Sequence, residues 1–158
     1  MVNNPKKSLN LFQHGEKLDF FIKLHQSDKL PRVLMLTGEK GIGKFTLINH
    51  FMCYVFDKEN YDLKNKKIDE NSKFYQNYLN GIFFNILYLS GENYKKTKIE
   101  HIRDLKSEIF KSSAHNKERF IILDDIELFN SNSLNALLKL IEEPKNKDYF
   151  VLINNKTK

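Results

Sequence analysis

The chain has 158 residues, with 26 lysines and arginines against 20 acidic residues, and 41% of it is hydrophobic. This hydrophobic share excludes an intrinsically disordered chain, and the length fits one domain, here predicted as 1–158. The single cysteine, Cys53, excludes an intramolecular disulfide and any site with several cysteine ligands, and it suits a cytoplasmic protein. No apolar run is long enough to span a membrane. The net charge of +6 comes from lysines scattered among acids, which indicates a solvated surface.

The first third of the chain predicts a helix, a strand and a second helix. Apolar residues at helical spacing predict helices over 16–26 and over about 43–56. The apolar run 33–36 between them has the length of a strand. Because this run is not interrupted by polar residues, we expect burial on both faces, as at the centre of a parallel sheet.

Residues 57–73 have a different composition. Ten of these 17 residues are charged, and only Tyr61, Leu63 and Ile68 are available to anchor them. This composition predicts a solvated, mobile loop, inserted after the second helix. Ser72 is placed to cap a short helix over about 73–80.

Strands and helices continue to alternate in the second half. Apolar runs predict strands at 85–89, 120–123 and 149–153. Two helices separate them: one opened by a capping box at 97–100, and one whose inward residues, before the stop at Pro144, are Leu134, Leu137, Leu138 and Ile141. The alternation predicts an α/β fold, a three-layer sandwich around a parallel sheet.

A glycine-rich segment between the first strand and the second helix has the phosphate-loop pattern G-x-x-x-x-G-K. Its residues are Gly38, Glu39, Lys40, Gly41, Ile42, Gly43 and Lys44. Small residues let backbone N–H groups surround a polyphosphate, the helix directs its positive end toward it, and the lysine reaches the outer phosphates. The strand-to-helix context predicts a nucleotide-binding loop rather than an ordinary turn.

One position of this pattern is altered. The residue after Lys44 should be Ser or Thr, whose hydroxyl binds magnesium, but it is Phe45. Thr46 lies about 100° further round the helix and should not replace it. Phosphate binding is compatible with this change, whereas metal binding is compromised.

The strand at 120–123 ends in two carboxylates, Asp124 and Asp125, and resembles a Walker B strand. In that pattern the first acid supports Mg²⁺ and the second polarises the attacking water. The second acid is normally Glu in active AAA+ ATPases. Asp125 is shorter by one methylene, and catalytic positioning tolerates little displacement.

The string at 135–144, Asn-Ala-Leu-Leu-Lys-Leu-Ile-Glu-Glu-Pro, resembles the signature Asn-x-Leu-Leu-Lys-x-Leu-Glu-Glu-Pro of clamp-loader AAA+ subunits. Together with the two preceding motifs, it makes nearly the whole chain similar to subunits of the bacterial DNA polymerase III clamp loader. Residues 102–105, Ile-Arg-Asp-Leu, resemble another element of this family. The resemblance places Asn154 or Asn155 where the family's sensor 1 residue reads the γ-phosphate.

Phe45 and Asp125 are more similar to the delta-prime subunit, which commonly has a degraded nucleotide site, than to the ATP-hydrolysing gamma/tau type. The absence of zinc-binding cysteines departs from many members of both types and does not decide between them. The resemblance implies a P-loop NTPase fold of AAA+ type, with weak or absent ATP and Mg²⁺ binding and no zinc. It implies partnership with gamma/tau and delta subunits and the sliding clamp, contact with primed DNA through that complex, and no membrane. Such a subunit assists ATP-dependent clamp loading and need not hydrolyse ATP itself.

Two alternatives stay open. An active gamma/tau-type ATPase would use Gly38, Gly43, Lys44 and Asp124. A P-loop nucleotide kinase needs an arginine-rich lid, and the chain has only three arginines. Lysines 95, 96 and 98 could contact DNA phosphates, although a solvated loop is the simpler interpretation.

The resemblance also changes the interpretation of the length. In the family, an arginine-finger segment, a fifth strand, a helical lid and a helical collar follow the fourth strand, and this sequence lacks them. We therefore expect an AAA+ domain that is incomplete at its C-terminus, with the strand at 33–36 left as an exposed apolar edge.

Overall fold

The structure is a computed structural model that describes residues 5–94, 118–142 and 147–156. The helices are α1 (Gly15–Gln26), α2 (Lys44–Phe56), α3 (Lys73–Leu79), α4 (Gly91–Tyr94) and α5 (Ser131–Glu142). The strands are β1 (Val33–Thr37), β2 (Tyr61–Asp62), β3 (Lys67–Ile68), β4 (Ile86–Ser90), β5 (Arg119–Asp124) and β6 (Asp148–Asn154). The capping box at 97–100, residues 102–105, the lysines at 95, 96 and 98, and Pro144 lie outside the described residues.

Four parallel strands form the main sheet, in the order β1-β6-β5-β4. The four strands predicted from apolar runs are therefore confirmed, as is an α/β fold around a parallel sheet. Parallel neighbours need crossover connections, which explains why strands distant in sequence pair here. Because all four strands run the same way, their carboxyl ends, at Thr37, Ser90, Asp124 and Asn154, meet at one edge of the sheet.

Strand β1 lies at the side of this sheet. Among the described residues it pairs with β6 alone, and Val33 and Met35 are 36% and 56% exposed. The prediction that β1 is buried on both faces is wrong, because alternate residues of a strand share one face and on one face of β1 they are exposed. The expectation of an exposed apolar edge is confirmed.

The chain divides into two compact units, Met1–Leu30 with Lys40–Phe83, and Pro31–Glu39 with Phe84–Lys158. The second unit contains the sheet and α5. Its core joins apolar side chains of β4, β5, β6 and α5, with Leu137 fully buried. Ile141 is also buried, but Leu138 is 37% exposed. The prediction that Leu138 points inward is wrong, because it lies about 100° round the helix from Leu137.

A buried ion pair joins the first residues of β5 and β6. Arg119 donates from Nε and Nη2 to the two carboxylate oxygens of Asp148, at 3.0 and 2.6 Å. The two residues are direct partners in the strand register. This bidentate geometry satisfies both charges where water is excluded.

The first unit contains α1 and α2. The Phe21 ring of α1 meets the Phe51 ring of α2 edge-on at 5.8 Å, and His25 makes a similar contact with Phe51. His25 is therefore a packing residue, as its position on an apolar helix face predicts. Cys53 is buried in α2, and burial raises the pKa of its thiol, which agrees with an inert core cysteine.

Residues 57–73, predicted as a charged loop inserted after α2, contain a hairpin. Strands β2 and β3 pair with Tyr61 opposite Ile68, and these two side chains are 6% and 2% exposed. Leu63 is 40% exposed and does not anchor the segment. Tyr61 and Ile68 therefore anchor the segment, while the mobility expected from its charged composition stays a prediction. Beyond the hairpin, Ser72 caps α3 by accepting a hydrogen bond from the Tyr75 N–H at 3.1 Å, as predicted.

His50 of α2 supports the same hairpin. Its Nδ1 lies 2.9 Å from the Tyr61 hydroxyl, and its Nε2 lies 3.0 Å from the Ser8 carbonyl oxygen. The carbonyl can only accept, so Nε2 carries the proton and Nδ1 accepts from Tyr61. Burial lowers the pKa of His50 to about 4. His50 is therefore a neutral core residue.

Candidate functional site

The glycine-rich segment joins the end of β1 to the start of α2, so the predicted strand–loop–helix context is confirmed. Gly41 and Gly43 have φ values of 91° and 88°, in a region that L side chains rarely adopt. Gly43 is the N-cap of α2, and helical geometry begins at Lys44. The first turn of α2 thus lies at the positive end of the helix dipole, which suits an anion.

Phe45 is buried, with 7% of its surface exposed. An apolar side chain that packs in the interior cannot supply the hydroxyl that the pattern requires after Lys44. Thr46, the next residue in α2, is half-buried. The loop therefore lacks the metal-binding hydroxyl that the pattern usually contains.

A side chain outside the motif contacts this loop. Nε2 of His14, the residue before α1, lies 2.6 Å from the carbonyl oxygen of Ile42. The ring nitrogen must donate, because a carbonyl only accepts. A Cβ atom at Gly43 would lie 3.4 Å from the same ring, so the imidazole packs closely against the loop. The contact joins residues 28 positions apart, so no local pattern in the sequence pointed to His14.

The two predicted Walker B acids follow each other at the end of β5. Asp124 is the last residue of the strand, and Asp125 has a left-handed backbone with φ of 50°. This turn directs the Asp125 N–H onto Oδ1 of Asp124 at 2.9 Å. Asp125 is 6% exposed. The sharp turn at Asp125 stores modest strain, since left-handed backbone is uncommon for a non-glycine residue.

The side chains of Tyr88 and Asn155 donate further hydrogen bonds to the Asp124 carboxylate. The Tyr88 hydroxyl donates to Oδ2 of Asp124 at 2.8 Å, and Nδ2 of Asn155 donates to Oδ1 at 3.2 Å. Burial raises the pKa of Tyr88, and the hydrogen bond to Asp124 raises it further. The phenol therefore keeps its proton and remains a donor. Tyr88 could not be predicted from the sequence as part of this site, because a tyrosine in an apolar strand gives no signal of its partner.

Asn155 connects the two acids. Its Nδ2 also lies 2.7 Å from Oδ1 of Asp125, and its backbone N–H donates to Oε2 of Glu127 at 3.1 Å. Asn154 was the site residue named from the sequence, with Asn155 as its alternative. The side chain of Asn154 accepts a hydrogen bond from the Lys156 N–H at 2.9 Å. The structure thus brings Asn155, not Asn154, onto the carboxylates.

Gly91 fits tightly behind the acids. A Cβ atom at this position would lie 2.1 Å from the carbonyl oxygen of Asp125 and 3.0 Å from side-chain atoms of Leu128 and Phe129. No side chain can be accommodated without moving the backbone at Asp125. Gly91 is therefore part of the packing that determines where Asp125 lies.

The oxygen atoms available around Asp124 can be compared with the ligands that a magnesium ion prefers. Mg²⁺ prefers carboxylate and hydroxyl oxygens with free lone pairs. Both oxygens of Asp124 already accept hydrogen bonds, and Phe45 has no oxygen in its side chain. No group of three His, Cys, Asp or Glu residues within 5–94, 118–142 and 147–156 could hold a metal ion. The described residues therefore do not fit a magnesium ion held through Asp124.

A parallel sheet, a phosphate loop between β1 and α2, and two acids at the end of β5 define the chain as a P-loop domain of the AAA+ type. Residues 13–158 match the family described as DNA polymerase III, delta subunit, and the chain belongs to that family. No helix in the part of the chain that the structure describes is long and apolar enough to cross a membrane.

Curated relatives agree with this assignment. The chain is 28% identical over 155 residues to DNA polymerase III subunit delta′ of Buchnera aphidicola subsp. Baizongia pistaciae, covering 92% of this chain and 45% of the relative. It is 25% identical to the delta′ subunit from subsp. Schizaphis graminum, covering 84% and 40%. It is 24% identical to DNA polymerase III subunit gamma from subsp. Acyrthosiphon pisum, covering 78% and 33%. The chain thus spans less than half the length of these relatives.

Proposed function

We propose that this chain acts as a delta-prime-like subunit of the DNA polymerase III clamp loader. In this role it assists the ATP-dependent loading of the sliding clamp onto primed DNA, together with gamma/tau and delta subunits. It contributes a rigid AAA+ domain to the complex and contacts DNA through that complex. Family membership and the delta′ relatives support this role.

We further propose that the nucleotide site is degenerate. The observation that carries this proposal is Phe45, a buried apolar residue where a metal-binding hydroxyl is required. Asp125 in place of Glu and the hydrogen-bonded state of Asp124 support it. Gly38, Glu39, Lys40, Gly41, Ile42, Gly43, Lys44 and Thr46 stay predicted nucleotide contacts, with Asp124 and Asp125 as predicted remnants of a Walker B pair.

The chain's own residues have distinct tasks in this proposal. The loop glycines allow backbone N–H groups to face a phosphate, Lys44 adds a positive charge, and the start of α2 favours an anion. These features bind and orient a polyphosphate. Asp125 is shorter than the usual Glu and already accepts a hydrogen bond from Asn155, which disfavours activation of a water molecule for attack.

The test is a steady-state ATPase assay of the purified chain with Mg²⁺, together with isothermal titration of ATP with and without Mg²⁺. We expect turnover at the background level, and the same background for Lys44→Ala. We also expect Phe45→Thr to leave turnover at background, since one hydroxyl does not rebuild the acids. Robust hydrolysis that Lys44→Ala abolishes would overturn the degenerate site.

A gamma/tau-type ATPase is the second candidate. The intact residues Gly38, Gly43 and Lys44 and the similarity to a gamma subunit favour it. This candidate requires hydrolysis by the wild-type chain, with little change in turnover for Phe45→Thr. Co-purification with gamma and delta subunits of the same organism then distinguishes the roles: a delta-prime-like chain joins a complex that already contains gamma, whereas a gamma-type chain replaces it.

A further inference from the structure

The Asp124 carboxylate accepts hydrogen bonds from three different groups. Oδ1 accepts from the Asp125 N–H at 2.9 Å and from Nδ2 of Asn155 at 3.2 Å. Oδ2 accepts from the Tyr88 hydroxyl at 2.8 Å. Each donor directs a partial positive charge at an oxygen that a cation would otherwise approach. Three of the about four lone-pair positions of the carboxylate are thus taken, which leaves a direct cation contact only the second position of Oδ2.

The donors are held from separate elements. Tyr88 lies in β4, the strand next to β5, and its Cα pairs with Ile122 in the register. Asn155 follows β6 on the other side of β5, and Glu127 holds its backbone N–H. Because neighbouring strands approach Asp124 from both sides, the arrangement depends on the sheet rather than on a single loop.

Asn155 also offsets the electrostatic repulsion between the carboxylates of Asp124 and Asp125. Its Nδ2 donates to Asp124 and to Oδ1 of Asp125, at 3.2 and 2.7 Å. Adjacent carboxylates repel each other, and a bound cation is one way to offset that repulsion. Here a neutral carboxamide supplies hydrogen bonds to both, and hydrogen bonds to charged acceptors are stronger than neutral ones.

We propose that Tyr88 and Asn155 are positioning residues that each occupy one lone-pair position of Asp124 and so lower the affinity of this end of the sheet for divalent cations. This inference deepens the proposed degenerate site and rests on it. Asn155, which contacts both carboxylates, takes the place of a cation between the acids. Two residues outside the phosphate loop, Tyr88 and Asn155, thus make Asp124 a poor ligand for Mg²⁺.

The test uses Mn²⁺ alone as the probe, with free Mn²⁺ measured by electron paramagnetic resonance. Tyr88→Phe and Asn155→Ala each remove one donor, and we expect each variant to bind Mn²⁺ about tenfold more tightly than the wild-type chain. Adding Asp124→Asn to either variant should remove the gain. A gain in affinity separates positioning from structural damage, because a loosened fold binds cations less well.

Tyr54→Phe is the matched control. It also removes a tyrosine hydroxyl from a 2.8 Å hydrogen bond, to Gln26 in the first unit, and Mn²⁺ affinity should stay at the wild-type value. Equal Mn²⁺ affinity in wild type, Tyr88→Phe and Asn155→Ala would overturn the inference while leaving the clamp-loader role intact. Robust ATP hydrolysis by the wild-type chain would instead overturn the degenerate site, so the two failures are distinguishable.

Discussion

The amide nitrogen Nδ2 of Asn155 lies 2.7 Å from carboxylate oxygen Oδ1 of Asp125, thirty positions earlier in the chain. This bond joins the residue after β6 to the residue after β5. It forms because parallel strands end at the same edge of a sheet, so that residues just beyond two neighbouring strands come together. This hydrogen bond and the one from the same amide to Asp124 connect the two acids at the end of β5.

Gly91→Ala should destabilise the protein. The added Cβ would lie 2.1 Å from the carbonyl oxygen of Asp125, a backbone atom that cannot move without shifting the acids. We expect a loss of about 1–3 kcal/mol in the free energy of unfolding, as for overpacked sites. Urea denaturation measures it. Gly15→Ala is the control, because its nearest side-chain atom would lie 3.8 Å away and no loss is expected. Equal stability of both variants would contradict the packing at Gly91.

His50 should make stability depend on pH. Burial lowers its pKa from 6.5 to about 4 in the folded chain, so between these values the unfolded chain binds more protons. Stability should therefore rise with pH over this window and level off above about 6.5, by at most about 3 kcal/mol. The measurement is urea denaturation at several pH values for wild type and His50→Gln. If the two chains lose the same stability between pH 6.5 and 4, His50 is not the cause.

Ile68→Ala should destabilise the hairpin of β2 and β3. Ile68 is 2% exposed and pairs with Tyr61, so its truncation leaves a cavity. Such truncations cost about 2–5 kcal/mol. Leu63→Ala, at a 40% exposed position of the same hairpin, should change stability by less than about 0.5 kcal/mol. Thermal unfolding and limited proteolysis of both variants give the comparison. A mobile loop would make the two substitutions indistinguishable.

Asp148→Ala should be among the most damaging polar substitutions. It leaves the Arg119 guanidinium charged, 4% exposed and without its bidentate partner. Removing one member of a buried pair costs about 3–5 kcal/mol. The exposed ion pair of Asp19 with Lys66 provides the contrast, and Asp19→Ala should cost less than about 1 kcal/mol. Chemical denaturation of both variants measures the difference, and similar losses would contradict the importance of burial.

Much of the local structure was predictable from the sequence. Apolar runs located β1, β4, β5 and β6, and helical spacing located α1, α2 and α5, because both periodicities follow from backbone geometry. The strand-loop-helix context of the phosphate loop was predictable for the same reason. The exposure of Leu138 was not predictable. Which of two neighbouring apolar residues on a helix is buried depends on the surface that the helix packs against.

The candidate site was predictable only in part. The sequence places Asp124 and Asp125 at a strand end, and the choice between Asn154 and Asn155 stayed open. Tyr88 and Gly91 had no local signal, because their contacts with the acids join segments more than thirty residues apart. Such contacts depend on strand order and register rather than on local pattern.

The sequence by itself thus determined the alternation of elements, the phosphate loop, the acids and the loss of the hydroxyl after Lys44. These are properties of short segments, determined by residue type and spacing. Only the tertiary structure decided that Val33 and Met35 are exposed, that Tyr61 pairs with Ile68 in a hairpin, and that Asn155 and Tyr88 donate hydrogen bonds to Asp124. Each of these features depends on which distant segments contact each other. Packing and hydrogen bonds between those segments stabilise the contacts.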